Sequence, residues 1–136
     1  MNVKDLDGNY IAWNLTGNIV KGSIEHKSSY HIKARLLLKD LYPTMQILEE
    51  VPISVRKSET LYLDFYIPLI KMCIEVHGEQ HYKFVPHYHA NKLAFLKAQK
   101  RDKSKKEWCV INGINYIELP FDDEPGWRKI INDKNN

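Results

Sequence analysis

The stretch LYLDFYIPLIKMCIEVHGEQHY, from Leu61 to Tyr82, restricts the fold more than any other part of the chain. Leu61, Leu63, Phe65 and Ile67 alternate with Tyr62, Asp64 and Tyr66; Met72, Ile74 and Val76 then alternate with Cys73, Glu75 and His77. Successive side chains of a strand point to opposite faces, so each run predicts a strand with one buried face. Pro68-Leu69-Ile70-Lys71 is the connection, because proline cannot donate to a ladder and favours turns. If Ile67 pairs with Met72, Asp64 falls opposite Glu75, with Cβ atoms about 5 Å apart. Two carboxylates that close repel unless a proton or a cation lies between them. A divalent ion such as Mg²⁺ suits such oxygen ligands. A slip of one residue would turn one acid to the other face, and an exposed hairpin with both acids in water fits the same spacing.

The flanks extend this hairpin into an α/β chain. Ser28 or Ser29 is an N-cap for a helix running to about Leu41, with Ile32, Leu36, Leu37 and Leu41 on one face, stopped by Tyr42-Pro43. Met45–Val51 predicts a first strand ended by Pro52, and the polar, basic stretch from Ile53 to Thr60 a loop. After the hairpin comes a loop with Pro86, His87 and His89, then a helix from about Ala90 to Asn112 anchored by Leu93, Leu96, Trp108 and Ile111. Asn112-Gly113 ends it. Ile114–Leu119 predicts a last strand, and Glu124 to Asn132 a short helix with Trp127, Ile130 and Ile131 packing back. A βαβ crossover in this order lays the long helix over the sheet.

At 136 residues the chain is expected to be one domain, with a core over about residues 28–119, an extension at 1–27 and a C-terminal helical segment at 120–136. The extension is the least readable part, with a short hairpin around Gly8 or Gly17 as its best local reading. No apolar run reaches membrane-spanning length and the polar N-terminus does not read as a signal peptide, so a cytoplasmic protein is expected. Cys73 and Cys109 sit within apolar patterns, which favours buried thiols in a reducing compartment over a disulfide.

Net charge is only +3, but its distribution is uneven. From Lys83 to Lys106 eight Lys and Arg residues face one acid, Asp102, a stripe suited to a polyanion although a solvated helix face is commoner. Asp102 on its own reads as an intrahelical partner of Lys105 or Lys106. His77, His81, His87 and His89 raise the thought of zinc, but there is no CxxC pair, and His87 and His89 read as surface histidines. Tyr82 and Tyr88 beside the basic stripe could stack on bases, with packing against the sheet the plainer reading.

Asp64-Phe65-Tyr66, then Ile74-Glu75-Val76-His77-Gly78-Glu79-Gln80-His81-Tyr82, then Arg101-Asp102 and Lys105 in a helix, then Gly113-Ile114 entering a strand, resemble the PD-(D/E)XK nuclease superfamily. The closer likeness is to the branch that includes very-short-patch-repair endonucleases and phage homing endonucleases with an EDxHD site. The resemblance covers roughly residues 28–119 and implies an αβββαβ restriction-endonuclease-like core, a central mixed sheet flanked by helices. By that resemblance Asp64 is the central metal ligand and Glu75 the acid of the (D/E)XK pattern, with Mg²⁺ as cofactor and Mn²⁺ able to substitute. His77 stands where that pattern has lysine; His81 and Asp102 match the histidine and second aspartate of EDxHD.

The chemistry agrees with the roles. Phosphodiester hydrolysis needs a metal to polarise the phosphoryl group and generate hydroxide, and a group to move protons; histidine titrates near neutral pH. Arg101 and Lys105 would neutralise phosphate charge, and Arg56, Lys57, Gln80, Lys83 and Lys97 complete a nucleic-acid-binding set. One departure stands out. The family's first helix has a glutamate three residues after a serine, and counting from Ser28 that position is His31, in a helix without acids. Glu25, Glu49 and Glu50 are the acids nearby. The expectation is a metal-dependent DNA endonuclease of phage homing or repair type in a bacterial or phage-infected cell, acting on double-stranded or branched DNA, with a homodimer as one arrangement for cutting two strands. The alternative is a catalytically weakened nuclease-fold module that binds nucleic acid or a protein partner.

Overall fold

A computed structural model describes residues 2–15, 18–19, 28–86, 89 and 91–134. The chain is α/β. Its centre is a mixed sheet of four long strands, β4 (Leu48–Arg56), β5 (Glu59–Ile67), β6 (Met72–His77) and β7 (Asn115–Pro120), in the spatial order of their numbers. A short strand β3 (Asn18–Ile19) pairs antiparallel with the start of β4 at the edge. β4, β5 and β6 are antiparallel neighbours, and β7 runs parallel to β6 after the helix α2 (Lys92–Ile111). Helices α1 (Ser29–Leu41) and α3 (Trp127–Lys134) cover the face opposite α2. A two-stranded hairpin, β1 (Asn2–Lys4) with β2 (Tyr10–Ala12), adds Val3 and, just beyond it, Trp13 to the α2-side core. This is the hairpin expected around Gly8, whose φ of 89° is open to glycine at little cost; Gly17 lies outside the described residues.

The register of the central hairpin is the one expected, with Ile67 opposite Met72, Tyr66 opposite Cys73 and Phe65 opposite Ile74. Its environment differs. All six residues of β6 are buried rather than alternate ones, because this strand is central and helices cover both faces. The first strand is also longer than expected. β4 continues through Pro52 to Arg56, Lys57-Ser58 forms a tight turn, and β5 starts at Glu59, so most of the supposed loop from Ile53 to Thr60 is strand. Proline is tolerated there because, among the described residues, β3 pairs only with Leu48 and Glu49 and no strand needs an N–H from position 52, whose carbonyl accepts from Trp13 Nε1 at 3.0 Å.

Both long helices meet the sheet only in part with the faces expected: Leu37 and Leu41 of α1 pack against the core and Trp108 of α2 enters it, but other residues lead the contact. In α1 the buried residues are His31, Ala34, Arg35 and Leu38, while Leu36 is 61% exposed. Glu49, buried on β4, draws His31 and Arg35 inward and so sets the helix phase. In α2 Ser104, Trp108 and Cys109 are buried; of the expected anchors Trp108 is fully buried, whereas Leu93, Leu96 and Ile111 are largely exposed. Asn91 caps α2 by accepting from Ala94 N–H at 2.8 Å. The C-terminal segment is a 3₁₀ turn over Phe121–Gly126 followed by α3, pinned where Trp127 Nε1 donates to the Pro120 carbonyl at 2.7 Å. Cys73 and Cys109 are free and buried. Among the described residues no helix is long and apolar enough to cross a membrane.

Candidate active site

Asp64 sits where β5 changes faces. Leu61 and Leu63 pack with Trp108 on the α2 side, whereas Phe65 and Ile67 pack with Leu38 and Trp127 on the other. Glu49 pairs with Phe65 and Val51 with Leu63, which puts Glu50 level with Asp64. Glu50 has φ of 53°, in the left-handed region that disfavours a residue with a Cβ. The two strands therefore kink together at one acidic pair.

On the other side of Asp64 the ladder to β6 changes character. The Asp64 N–H donates to the Glu75 carboxylate at 2.5 Å, and the Val76 N–H donates to Asp64 Oδ2 at 2.9 Å. Carboxylates thus take the place of carbonyls, wedging two acids between diverging strands. Lys105 reaches in from α2, its Nζ 2.8 Å from Glu75 Oε1. Burial, and then the neighbouring Asp64 charge, push Glu75 up to about 8 against the pull of Lys105. Burial pulls Lys105 down, but the charges of Glu75 and Asp64 outweigh it and keep its ammonium above the usual lysine range.

A histidine layer lies beside these acids. His81 Nδ1 is 2.8 Å from Asp102 Oδ2, and His77 Nδ1 is 3.1 Å from Glu118 Oε1. The two rings stack with centroids 4.2 Å apart and planes 8° from parallel. His77 Nε2 is buried and has no hydrogen-bond partner among the described residues. Glu118 faces Glu75 in the parallel register. The hydrogen bond from His77, joined by one from the Tyr82 hydroxyl at 2.7 Å, holds Glu118 down at about 2 despite its partial burial.

Among the described residues two groups have ligand atoms mutually within 4.8 Å: His31 with Glu50 and Asp64, and His77 with His81 and Asp102. The first suits a hard cation, with two carboxylates and Glu75 adjacent. The second does not chelate as it stands, because a metal must lie near the plane of each ligating ring and these planes are stacked. Glu49 is already committed to His31 and Arg35, with Arg35 Nη2 3.0 Å from Glu49 Oε1.

Asp64, Glu75, His77, His81 and Asp102 are thus gathered at one place, and His31 adjoins it. Lys105 lies within the acid cluster instead of on a phosphate-contacting surface. Arg56, Lys97 and Arg101 share a separate pocket with Glu59 and Lys100. Lys57 is exposed at the β4–β5 turn, Gln80 lines a recess with Ser28, Tyr30 and Gly78, and exposed Lys83 pairs with Glu79 at 2.7 Å. His89 is a correction to the surface reading: it is buried, accepts from Val85 N–H at 3.1 Å and packs on Phe84 and Phe95. His87, Tyr88 and Glu25 lie outside the described residues. Sequence reasoning missed Glu118 altogether and left Glu50 as one of several acids. Only the alternation of Glu118 with Ile117 and Leu119 hinted at a strand acid, and its partner follows from the parallel register.

No family model matches the chain, and no solved structure matches it. It is similar to viral proteins: 46% identical over 61 residues to "Uncharacterized protein 307L" of Invertebrate iridescent virus 6, covering 45% of this chain and 31% of that protein. It is 39% identical over 64 residues to "Uncharacterized protein 033L" of Invertebrate iridescent virus 3, covering 47% and 33%. It is 37% identical over 78 residues to "Uncharacterized protein 094L" of Frog virus 3 (isolate Goorha), covering 54% and 50%. The matched parts thus amount to between 31% and 50% of the length of these relatives.

Proposed function

We propose that this chain is a metal-dependent DNA endonuclease domain with a restriction-endonuclease-like core. The observation that carries the reading is the meeting of Asp64 and Glu75 between β5 and β6, with Lys105 Nζ 2.8 Å from Glu75 and the His81–Asp102 pair alongside. The order α1, β4, β5, β6, α2, β7 supports it, since it runs αβββαβ.

Asp64, Glu50 and His31 would hold Mg²⁺ or Mn²⁺, with Glu75 at the inner edge; the carboxylate-rich donor set fits a hard cation. Glu50, from the kink in β4, then takes the place of the acid absent from the first helix. When bound, the ion would polarise the phosphodiester and favour hydroxide at neutral pH. Lys105 fills the position of the lysine missing at His77, keeping a cation beside Glu75 from the helix instead of the strand. His81, oriented through Nδ1 by Asp102, presents Nε2 as the atom that accepts or returns a proton.

A second reading has a specific observation behind it. Both Glu75 oxygens and one of Asp64 are engaged in hydrogen bonds, as in a closed site that needs no ion. A nuclease-fold module that only grips nucleic acid would look like this. Cleavage of supercoiled and branched DNA with Mg²⁺, Mn²⁺ or EDTA, beside Asp64→Ala, decides between the readings. Metal-dependent cutting that vanishes in the variant supports the nuclease, and salt-sensitive binding without cutting supports the module.

A further inference from the structure

Away from the acids, the tip of the β4–β5 hairpin and the exposed half of α2 enclose an open pocket of about 320 Å³, lined by Arg56, Glu59, Lys97, Lys100 and Arg101. Four cations face one acid. Arg56 is held in place, its Nη1 2.6 Å from Glu59 Oε1 and 3.4 Å from the hydroxyl of Ser104, a buried residue. Among the described residues no carboxylate pairs with Lys97, Lys100 or Arg101. Two elements far apart in sequence thus aim guanidinium and ammonium groups at one space, and like charges gathered this way are relieved by an anion.

The pocket is coupled to the site by the helix itself. Lys97, Arg101 and Lys105 recur every four residues on one face of α2, so the Lys97 level lies roughly 12 Å along the axis from the Lys105 level. That span corresponds to about three or four nucleotides of one strand of duplex DNA. Lys105 turns inward to Glu75; Arg101 and Lys97 stay outside.

We infer that Arg56, Lys97, Lys100 and Arg101 form a discrete subsite for backbone phosphates of duplex DNA, displaced along the strand from the scissile position. It supplies affinity and register, and rests on the nuclease reading only for that choice of ligand. Glu59 orients Arg56 and offsets part of its charge, so the subsite is strongest when Glu59 is neutralised.

The test is equilibrium binding of a short DNA duplex in EDTA over a salt series, where no cutting occurs. Lys97→Ala and Arg101→Ala are each expected to weaken binding roughly threefold to tenfold and to reduce the slope of log K against log salt by about 0.9. Glu59→Gln is expected to tighten it, and Lys129→Ala, on α3 across the sheet, to change neither quantity. Equal losses from Lys129→Ala, or none from Lys97→Ala and Arg101→Ala, would overturn the subsite. A matched RNA duplex separates two sources of the same backbone: losses confined to RNA overturn the assignment to DNA. Both exposed α2 variants leave the core untouched, so they stand even if Arg56→Ala disturbs the hairpin. If the wild type never cuts DNA yet shows these losses, the nuclease reading fails and the subsite remains. If it cuts DNA and the losses are absent, the reverse holds.

Discussion

Asp64 and Glu75 are joined through the backbone despite their like charges: the Asp64 N–H donates to the Glu75 carboxylate, and Asp64 Oδ2 accepts from the residue after Glu75. Each acid helps to hold the other's strand. Asp64→Asn and Glu75→Gln keep these acceptors and so should fold, yet each is expected to reduce metal-dependent cleavage by about 100-fold or more, the loss of a charge that acts on the metal. Single-turnover cleavage beside circular dichroism checks this. Retained cleavage in Asp64→Asn would remove it from the metal site.

The raised Glu75 makes stability depend on pH in the metal-free protein. Its folded pKa of about 8 lies above the ordinary carboxylate value of 4.5, so between these limits the folded state binds the extra proton. The contribution is present below the lower limit and is lost as pH rises through the folded value. Lys105 titrates above that window in both states and leaves it unchanged. Urea midpoints in EDTA are expected to fall from mildly acidic to mildly alkaline pH, and Glu75→Gln to flatten the trend. Mg²⁺ or Mn²⁺ should restore the alkaline midpoint in the wild type and not in Asp64→Ala. A flat wild-type profile would mean that Lys105 keeps Glu75 ionised throughout.

Glu50 holds a positive φ of 53°. Removing its side chain with and without relief of the backbone separates strain from function. Glu50→Gly is expected to be more stable to urea than Glu50→Ala by about 1 kcal/mol, because glycine adopts that conformation freely. Both variants should need more Mg²⁺ or Mn²⁺ for half-maximal cleavage. Equal stability of the two would show that the backbone relaxes at Glu50, and an unchanged metal requirement would return the missing acid to another residue.

His81 and Asp102 are separated by 21 positions in sequence and 2.8 Å in space. If His81 moves the proton, His81→Ala costs roughly 100-fold or more in the cleavage step. Asp102→Asn, which keeps a hydrogen-bonding partner but not the charge, should cost less and alter the pH profile of cleavage. Loss of activity in Asp102→Asn with an unchanged profile would make Asp102 a metal-side group instead.

The replacement of Leu63 by Ala tests the kinked sheet itself. Leu63 is fully buried beside Trp108, one residue before β5 changes faces. A loss of about 2–5 kcal/mol is expected from urea unfolding, transfer and cavity costs together. A much smaller loss would show that the kink lets the site collapse.

The sequence by itself determined the element order, the central hairpin and its register, and with them the meeting of Asp64 and Glu75. Those are set by period-two alternation and a proline-bearing connection, interactions between residues close in the chain. The faces of α1 and α2 were legible only in part, because buried Glu49 selects His31 and Arg35 over the apolar stripe, and because of the expected α2 anchors Trp108 is buried while Leu93, Leu96 and Ile111 are exposed. Only the tertiary structure brought Glu50 level with Asp64, Lys105 onto Glu75, Glu118 opposite Glu75 and Arg56 against α2. Each of these depends on how separate elements cross, and on a backbone kink that reverses which side of a strand faces which layer, so no local pattern of residues encodes them.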